Sequence, residues 1–141
     1  MNVKEFRIGN CIQIEDVYLN AFPNLLKRGI IRIVGLGGSI RVEDNLGKDT
    51  SVVSECIKPV PITKEILLKC GFRAVAFYEN VYEKDSVRIH TDTTKKTNTA
   101  LFVMHYDNDT ILKKEVSSLH QFQNLYFALI GKELDIDLSN I

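Results

Sequence analysis

The residues of this chain with obvious chemical reach are three histidines, three cysteines and scattered carboxylates, and their spacing decides what they can do. His90, His105 and His120 recur at long intervals, without the second ligand three or four residues on that a helix-borne metal site needs. His90 and His105 can face each other only across a hairpin. Asp107 and Asp109 have a chelating spacing, yet the acidic and glycine continuation of an EF-hand loop does not follow, so Asp107-Asn108-Asp109 reads as a tight turn. Cys70 ends a short helix, where the dipole raises a thiol pKa, and it suits a core position better than a nucleophile. Cys11 and Cys56 lie in apolar strand contexts and read the same way. Gly35-Leu36-Gly37-Gly38 lacks the Lys-Ser/Thr of a phosphate loop and the helix such a loop opens, so it reads as a hairpin turn. Glu55, Glu65 and Glu79 offer no carboxylate pair.

The remaining chemical signal is the stretch His120 to Leu134, HQFQNLYFALIGKEL. Ser118-Leu119-His120-Gln121 fits a capping box, with the Ser hydroxyl and the Gln amide each satisfying a backbone N–H at the start of a helix. From Leu119 onward, Phe122, Leu125, Tyr126, Leu129 and Ile130 join it in an apolar stripe, and Gly131 is the natural stop. His120, Gln123, Asn124 and Phe127 occupy i, i+3, i+4 and i+7, a second stripe beside the first. Two roles fit it. The flank either packs against the N-terminal half, with its amides bonded to loop backbone, or it is a recognition face for a peptide or a base.

What positions these residues is a chain of 141 residues, enough for one ordinary domain or two very small ones, which buries roughly two thirds of its unfolded surface. Hydrophobic residues at 45% and charged residues at 26% place it among globular proteins with a real core. Eighteen basic and eighteen acidic side chains cancel, which removes the whole-molecule field that draws proteins to phosphate backbones. Local basic patches are confined to the pairs Lys27-Arg28, Lys95-Lys96 and Lys113-Lys114. No apolar run has signal-peptide or bilayer-spanning length, so a cytoplasmic protein without a membrane partner is expected. The odd number of widely spaced cysteines fits reduced thiols.

Short extended segments dominate up to about Ile57: Cys11–Ile14, Ile30–Val34, Ile40–Val42 and Ser51–Val53, separated by glycine-bearing turns. They predict an antiparallel meander that curls into a small barrel. Glu15 to Arg28 interrupts it as a long loop or short helix. Pro59-Val60-Pro61 marks a junction, dividing the chain into a barrel subdomain (1–60) and an α+β subdomain (61–141). Thr63 is placed to cap a short helix from Lys64 to Cys70, with Ile62 and Leu67 as a hydrophobic staple and Gly71 as its stop. Strand-like runs follow at Phe72–Tyr78, Ser86–His90, Ala100–Tyr106 and Thr110–Val116, the third apolar on both faces and therefore expected to be central. Thr91 to Asn98 is a polar loop.

Three segments carry a resemblance. Arg7-Ile8-Gly9-Asn10 matches R-x-G-N, Pro59 to Glu65 matches P-x-P-x-T-x-E, and His120 to Leu134 matches H-x-x-Q-N-x-Y-x-A-x-x-G-x-E-L. In these the chain resembles a family of small uncharacterised bacterial proteins often encoded near prophage and other mobile-element genes. The resemblance brings no catalytic residue, cofactor or ligand with it. The expected fold is α+β: an N-terminal small β-barrel of Src-homology-3 type, then an antiparallel sheet flanked by two helices. The expected function is a non-enzymatic binding or adaptor module with a protein partner, using His120, Gln123, Asn124 and Phe127. A nucleic-acid accessory protein using the Lys95 and Lys96 loop is the first alternative. An enzyme is the second, requiring a pocket that brings His90 or His105 against a distant carboxylate.

Overall fold

The motif Arg7-Ile8-Gly9-Asn10 folds into a clasp that starts the first sheet. Asn10 is fully buried, and its side-chain oxygen accepts from the Arg7 N–H at 2.8 Å while its own N–H donates to the Arg7 carbonyl at 3.1 Å. Gly9 takes φ +98°, which a side chain would resist, and donates to the Ile33 carbonyl at 2.7 Å; Ile33 returns a bond to the Asn10 carbonyl at 2.9 Å. The chain is thereby tied to a partner strand before its own strand begins. The computed structural model describes residues 5–21, 29–44, 47–78, 80–91, 101–107 and 110–137, with the backbone alone at 19–21, 101–107 and 110–114.

β1 (Cys11–Ile14), β2 (Ile31–Leu36), β3 (Ile40–Glu43), β4 (Asp49–Val52) and β5 (Ile57–Lys58) form a curled antiparallel half-barrel in the order β4-β3-β2-β1-β5. β1 divides its pairing. Cys11 and Ile12 face β2, whereas Gln13 and Ile14 face β5. A bulge between Ile33 and Gly35 carries β2 two residues beyond the expected Val34. The inner positions Phe6, Ile12, Ile14, Ile31, Ile33, Ile40, Val42, Val52, Cys56 and Ile57 make one buried cluster, as period-two alternation demands. Short 3₁₀ turns at Asp16–Ala21 and Ser54–Cys56 lead out of β1 and into β5, the first falling within the segment read as a loop or short helix.

Contacts divide the chain into two units, Met1–Val60 and Pro61–Asp137. The second opens with α1 (Lys64–Lys69), capped at its start by the Thr63 hydroxyl, which accepts from the Ile66 N–H at 3.2 Å. Ile62 and Leu67 are both buried, and Gly71 leaves the helix at φ +85°. Five antiparallel strands follow in the order β10-β9-β8-β7-β6: β6 (Arg73–Ala74), β7 (Val81–Lys84), β8 (Val87–Thr91), β9 (Leu101–Asp107) and β10 (Thr110–Val116). β9 lies inside the sheet, as its apolar sequence predicts. Whether both its faces are covered is a matter of side chains outside the described set.

Two expectations need correction here. The run Phe72 to Tyr78 is not one strand: only Arg73 and Ala74 pair, with Glu83 and Tyr82, after which the chain turns through Phe77 at φ +68°. Phe77 is fully exposed and Tyr78 largely so. The capping box at the last helix is also not made as expected: the Gln121 side chain reaches one residue beyond the cap. α2 (Leu119–Ile130) begins where expected, but the Ser118 hydroxyl pairs with His120 Nδ1 at 3.2 Å instead of capping. The Gln121 side-chain oxygen Oε1 accepts from the Ser117 N–H at 3.0 Å and the Ser117 hydroxyl at 2.9 Å. α2 ends at Gly131 in the left-handed region, as its sequence predicts.

The core of this unit gathers around three rings. Phe72, Phe122 and Tyr126 lie 5.4 to 6.4 Å apart, centroid to centroid, in tilted and edge-on arrangements. Val87 and Ile89 of β8 are fully buried, and the segment after α2 contributes Leu134 and Ile136 before Asp137 donates to the Lys69 carbonyl at 3.0 Å.

Candidate functional site

The link between β7 and β8 is two residues long, because Lys84 pairs with Val87. Asp85 and Ser86 have φ +50° and +63°, the signature of a type I′ turn, which suits Asn-Gly or Asp-Gly and penalises Ser at its second position. The turn is held from α2: the Tyr126 hydroxyl, at the end of an almost wholly buried ring, donates to Asp85 Oδ2. Burial, the hydrogen bond to Asp85, the Asp85 charge and then the Asp135 charge push the Tyr126 phenol above its ordinary value of 10.0. Tyr126 is therefore a fixed donor.

Lys84 completes the clamp. Its ammonium donates to the Cys70 carbonyl at 2.8 Å, at the negative end of α1, and lies 5.9 Å from the centre of the Tyr126 ring. Gly71 permits this twice over, through its positive φ and because a Cβ there would come within 3.1 Å of the Lys84 ammonium.

Beside the clamp the register builds a row of charges. Arg73 of β6 pairs with Glu83 of β7, and Glu83 pairs with Arg88 of β8, so the three side chains share one face of the sheet. Glu83 bridges the arginines, Oε1 lying 3.4 Å from Arg73 Nη2 and Oε2 lying 3.3 Å from Arg88 Nε. Neighbouring positions Tyr82, Val87 and Ile89 belong to the buried face. Together Arg73, Glu83, Lys84, Asp85, Ser86 and Arg88 line a cleft of about 490 Å³. Three cationic and two anionic side chains leave it with an excess of positive charge.

The stripe singled out on α2 does not form one exposed face. His120 and Gln123 are 1% and 2% exposed, Asn124 is half-buried, and Phe127 is exposed. Helical geometry explains Gln123, which lies about 40° round the axis from Leu119 and so within the buried arc. Lys95 and Lys96 lie outside the described residues. His90 and His105 do not face each other: His90 is opposite Val81 and Phe102, and His105 is opposite Val87 and Leu112. Cys11, Cys56 and Cys70 are buried thiols. Among the described residues no three His, Cys, Asp or Glu side chains gather into a metal-sized group, and no helix is long and apolar enough to cross a membrane.

Sequence reasoning missed the cleft, whose members sit on three different strands. The one local signal was Lys84-Asp85-Ser86, a turn-forming triplet between two segments of alternating burial. Tyr126 was read as core, which its ring is, but its hydroxyl is the group that reaches the cleft. No family model, no curated protein and no solved structure matches this chain.

Proposed function

We propose that the protein is a cytoplasmic, non-enzymatic binding module, an adaptor of a prophage or other mobile element, and that the cleft beside the β7–β8 turn is where it holds its partner. The observation that carries this reading is the Arg73–Glu83–Arg88 row standing over a turn clamped by Tyr126 and Lys84. Arginines carried on the strands of one sheet suit recognition, since their forked donors are oriented before a ligand arrives. The ionisable groups around them are matched to opposite charges or hydrogen-bond acceptors, and the phenol is held protonated, an arrangement that keeps charges in place instead of moving protons. The mobile-element part rests on the sequence motifs alone.

The half-barrel is read as a small barrel of Src-homology-3 type. Supporting this are the strand order β4-β3-β2-β1-β5, the division of β1 between β2 and β5, and the 3₁₀ turn at Ser54–Cys56 just before the last strand.

The test is affinity capture from bacterial lysate with wild type and with the Arg73→Ala/Arg88→Ala double variant, each with and without nuclease. A nuclease-resistant protein recovered by wild type and lost by the variant is the expected result. Identical recovery by both proteins rejects the cleft, and recovery that nuclease abolishes transfers the function to nucleic acid.

A further inference from the structure

We infer that the cleft binds a carboxylate from an acidic segment of a protein partner, and that Glu83 is an internal stand-in for that ligand which must be displaced. The inference rests on the binding reading above and names the chemistry of its ligand. Glu83 already shows how a carboxylate seats here, one oxygen toward each arginine. Its two contacts, at 3.4 and 3.3 Å, are longer than the 2.7–2.9 Å typical of charge-assisted bonds, so the resident carboxylate is loosely held.

The arginines are also reachable. The Arg73 side chain is 82% exposed and that of Arg88 39%, while Glu83 is 30% exposed and can swing out without crossing the core. Charge favours the exchange: with Glu83 displaced, the described residues lining the cleft carry three cationic side chains, Arg73, Lys84 and Arg88, against the carboxylate of Asp85, which the Tyr126 hydroxyl already engages. A cleft of about 490 Å³ lies within the usual range for ligand sites and accommodates an acidic side chain with its flanking backbone. A planar carboxylate fits the paired guanidinium forks, and a chain of zero net charge lacks the long-range field that nucleic-acid binding draws on.

Displacement makes a prediction of unusual sign. A ligand that must first remove an internal competitor loses affinity in proportion to the fraction of molecules in which the competitor is seated. Removing the charge of Glu83 should therefore tighten binding. The experiment titrates a fluorescent, end-blocked penta-glutamate peptide into the full chain at low salt, using wild type, Glu83→Gln and Arg73→Ala/Arg88→Ala, with a single-stranded oligonucleotide as the second probe.

The expected result is saturable peptide binding, strengthened about twofold by Glu83→Gln if Glu83 is seated in about half of the molecules, and lost in the double variant. Glu83→Gln keeps the side chain's size, so it carries the test even if the double variant fails to fold. Weaker or unchanged binding by Glu83→Gln overturns the stand-in role. A wild type that binds the oligonucleotide and not the peptide overturns the carboxylate. If neither probe binds while the captured partner still depends on Arg73 and Arg88, the ligand chemistry is wrong and the binding site stands. If capture is also independent of the arginines, both readings fall.

Discussion

In the Met1–Val60 unit the described backbone enters the left-handed region only at Gly9 and Gly47, whereas in the hairpins joining β6, β7 and β8 it does so at Phe77, Asn80, Asp85 and Ser86. The geometric problem is the same in both places, but an L side chain at positive φ costs on the order of 1–2 kcal/mol and glycine does not. Half the protein therefore turns at low cost and the other half turns at a penalty. The penalty is compensated where a contact can be named: Asp85 takes the Tyr126 hydroxyl, and the Asn80 carbonyl accepts from the Thr91 N–H at 2.9 Å and its hydroxyl at 3.2 Å. Ser86 lines the cleft, and Phe77 stands fully exposed. Strained backbone is tolerated at sites where position matters more than stability, and here two of the four strained residues, Asp85 and Ser86, line the charged cleft.

The comparison breaks most visibly at Tyr126. Tyr126→Phe keeps the buried ring and removes the bond that holds the strained turn, so it should lower stability by about 2 kcal/mol at neutral pH, as expected for a hydrogen bond to a charged acceptor. Denaturant unfolding measures this. The pH dependence supplies the sign. Because the folded phenol titrates above 10.0, its stabilisation is complete below pH 10 and declines as the pH rises beyond it, when only the unfolded chain gives up the proton. The gap between wild type and Tyr126→Phe should therefore narrow above pH 10; a constant gap would mean that the hydroxyl does not hold the turn.

Next in size is Gly9→Ala, which places a side chain at φ +98° in the half-barrel clasp and should cost about 1–2 kcal/mol. Space is not the reason, since a Cβ at Gly9 meets nothing within 4 Å. The backbone alone is at issue, and Gly9→D-Ala in a synthetic chain should restore what Gly9→Ala loses.

That clasp was written into the sequence in a way the cleft was not. Gly9 with Asn10, Thr63 with the prolines before it, and Gly131 at the end of α2 each act within a few residues, so residue type alone announces the turn or cap. The alternating segments of the half-barrel are equally local, and the α+β class follows from them. The cleft depends instead on which residue of β6 stands opposite which residue of β7 and β8. A slip of one residue would send Arg73 or Arg88 to the opposite face; the two-residue Asp85-Ser86 turn fixes the β7–β8 register, but no comparably tight turn announces which residue of β7 stands opposite Arg73. The run Phe72 to Tyr78 misleads for a related reason: its apolar and aromatic residues match a strand template, yet the ladder holds only Arg73 and Ala74, with one further bond from the Val75 N–H to the Val81 carbonyl, and Phe77 goes into the turn. On α2 the helical spacing of His120, Gln123, Asn124 and Phe127 left packing and recognition both open, and the burial of His120 and Gln123 accords with packing.

The strained hairpin can also be relaxed. Ser86→Gly gives the β7–β8 turn the Asp-Gly pair that type I′ geometry favours, and should raise stability by about 1 kcal/mol in a thermal melt, the opposite sign to Gly9→Ala. A loss would show that the Ser86 side chain contributes more than its backbone costs, which would assign it a structural role in the turn in addition to its place in the cleft.

The smallest effect is the most discriminating. Glu83→Gln removes both ion pairs of the row, but these are long, partly exposed contacts of a kind that contributes 0 to about 1 kcal/mol, so unfolding should shift by no more than about 0.5 kcal/mol. A residue that bridges three strands for structural reasons should cost more, because its loss would leave Arg73 and Arg88 to repel each other across the sheet. Near-neutral stability in the unliganded protein, measured in the same melts, would mean that the sheet does not need the Arg73–Glu83–Arg88 row to fold. The row would then be charges held in position for a partner, and the two long contacts of Glu83 would be there to be exchanged.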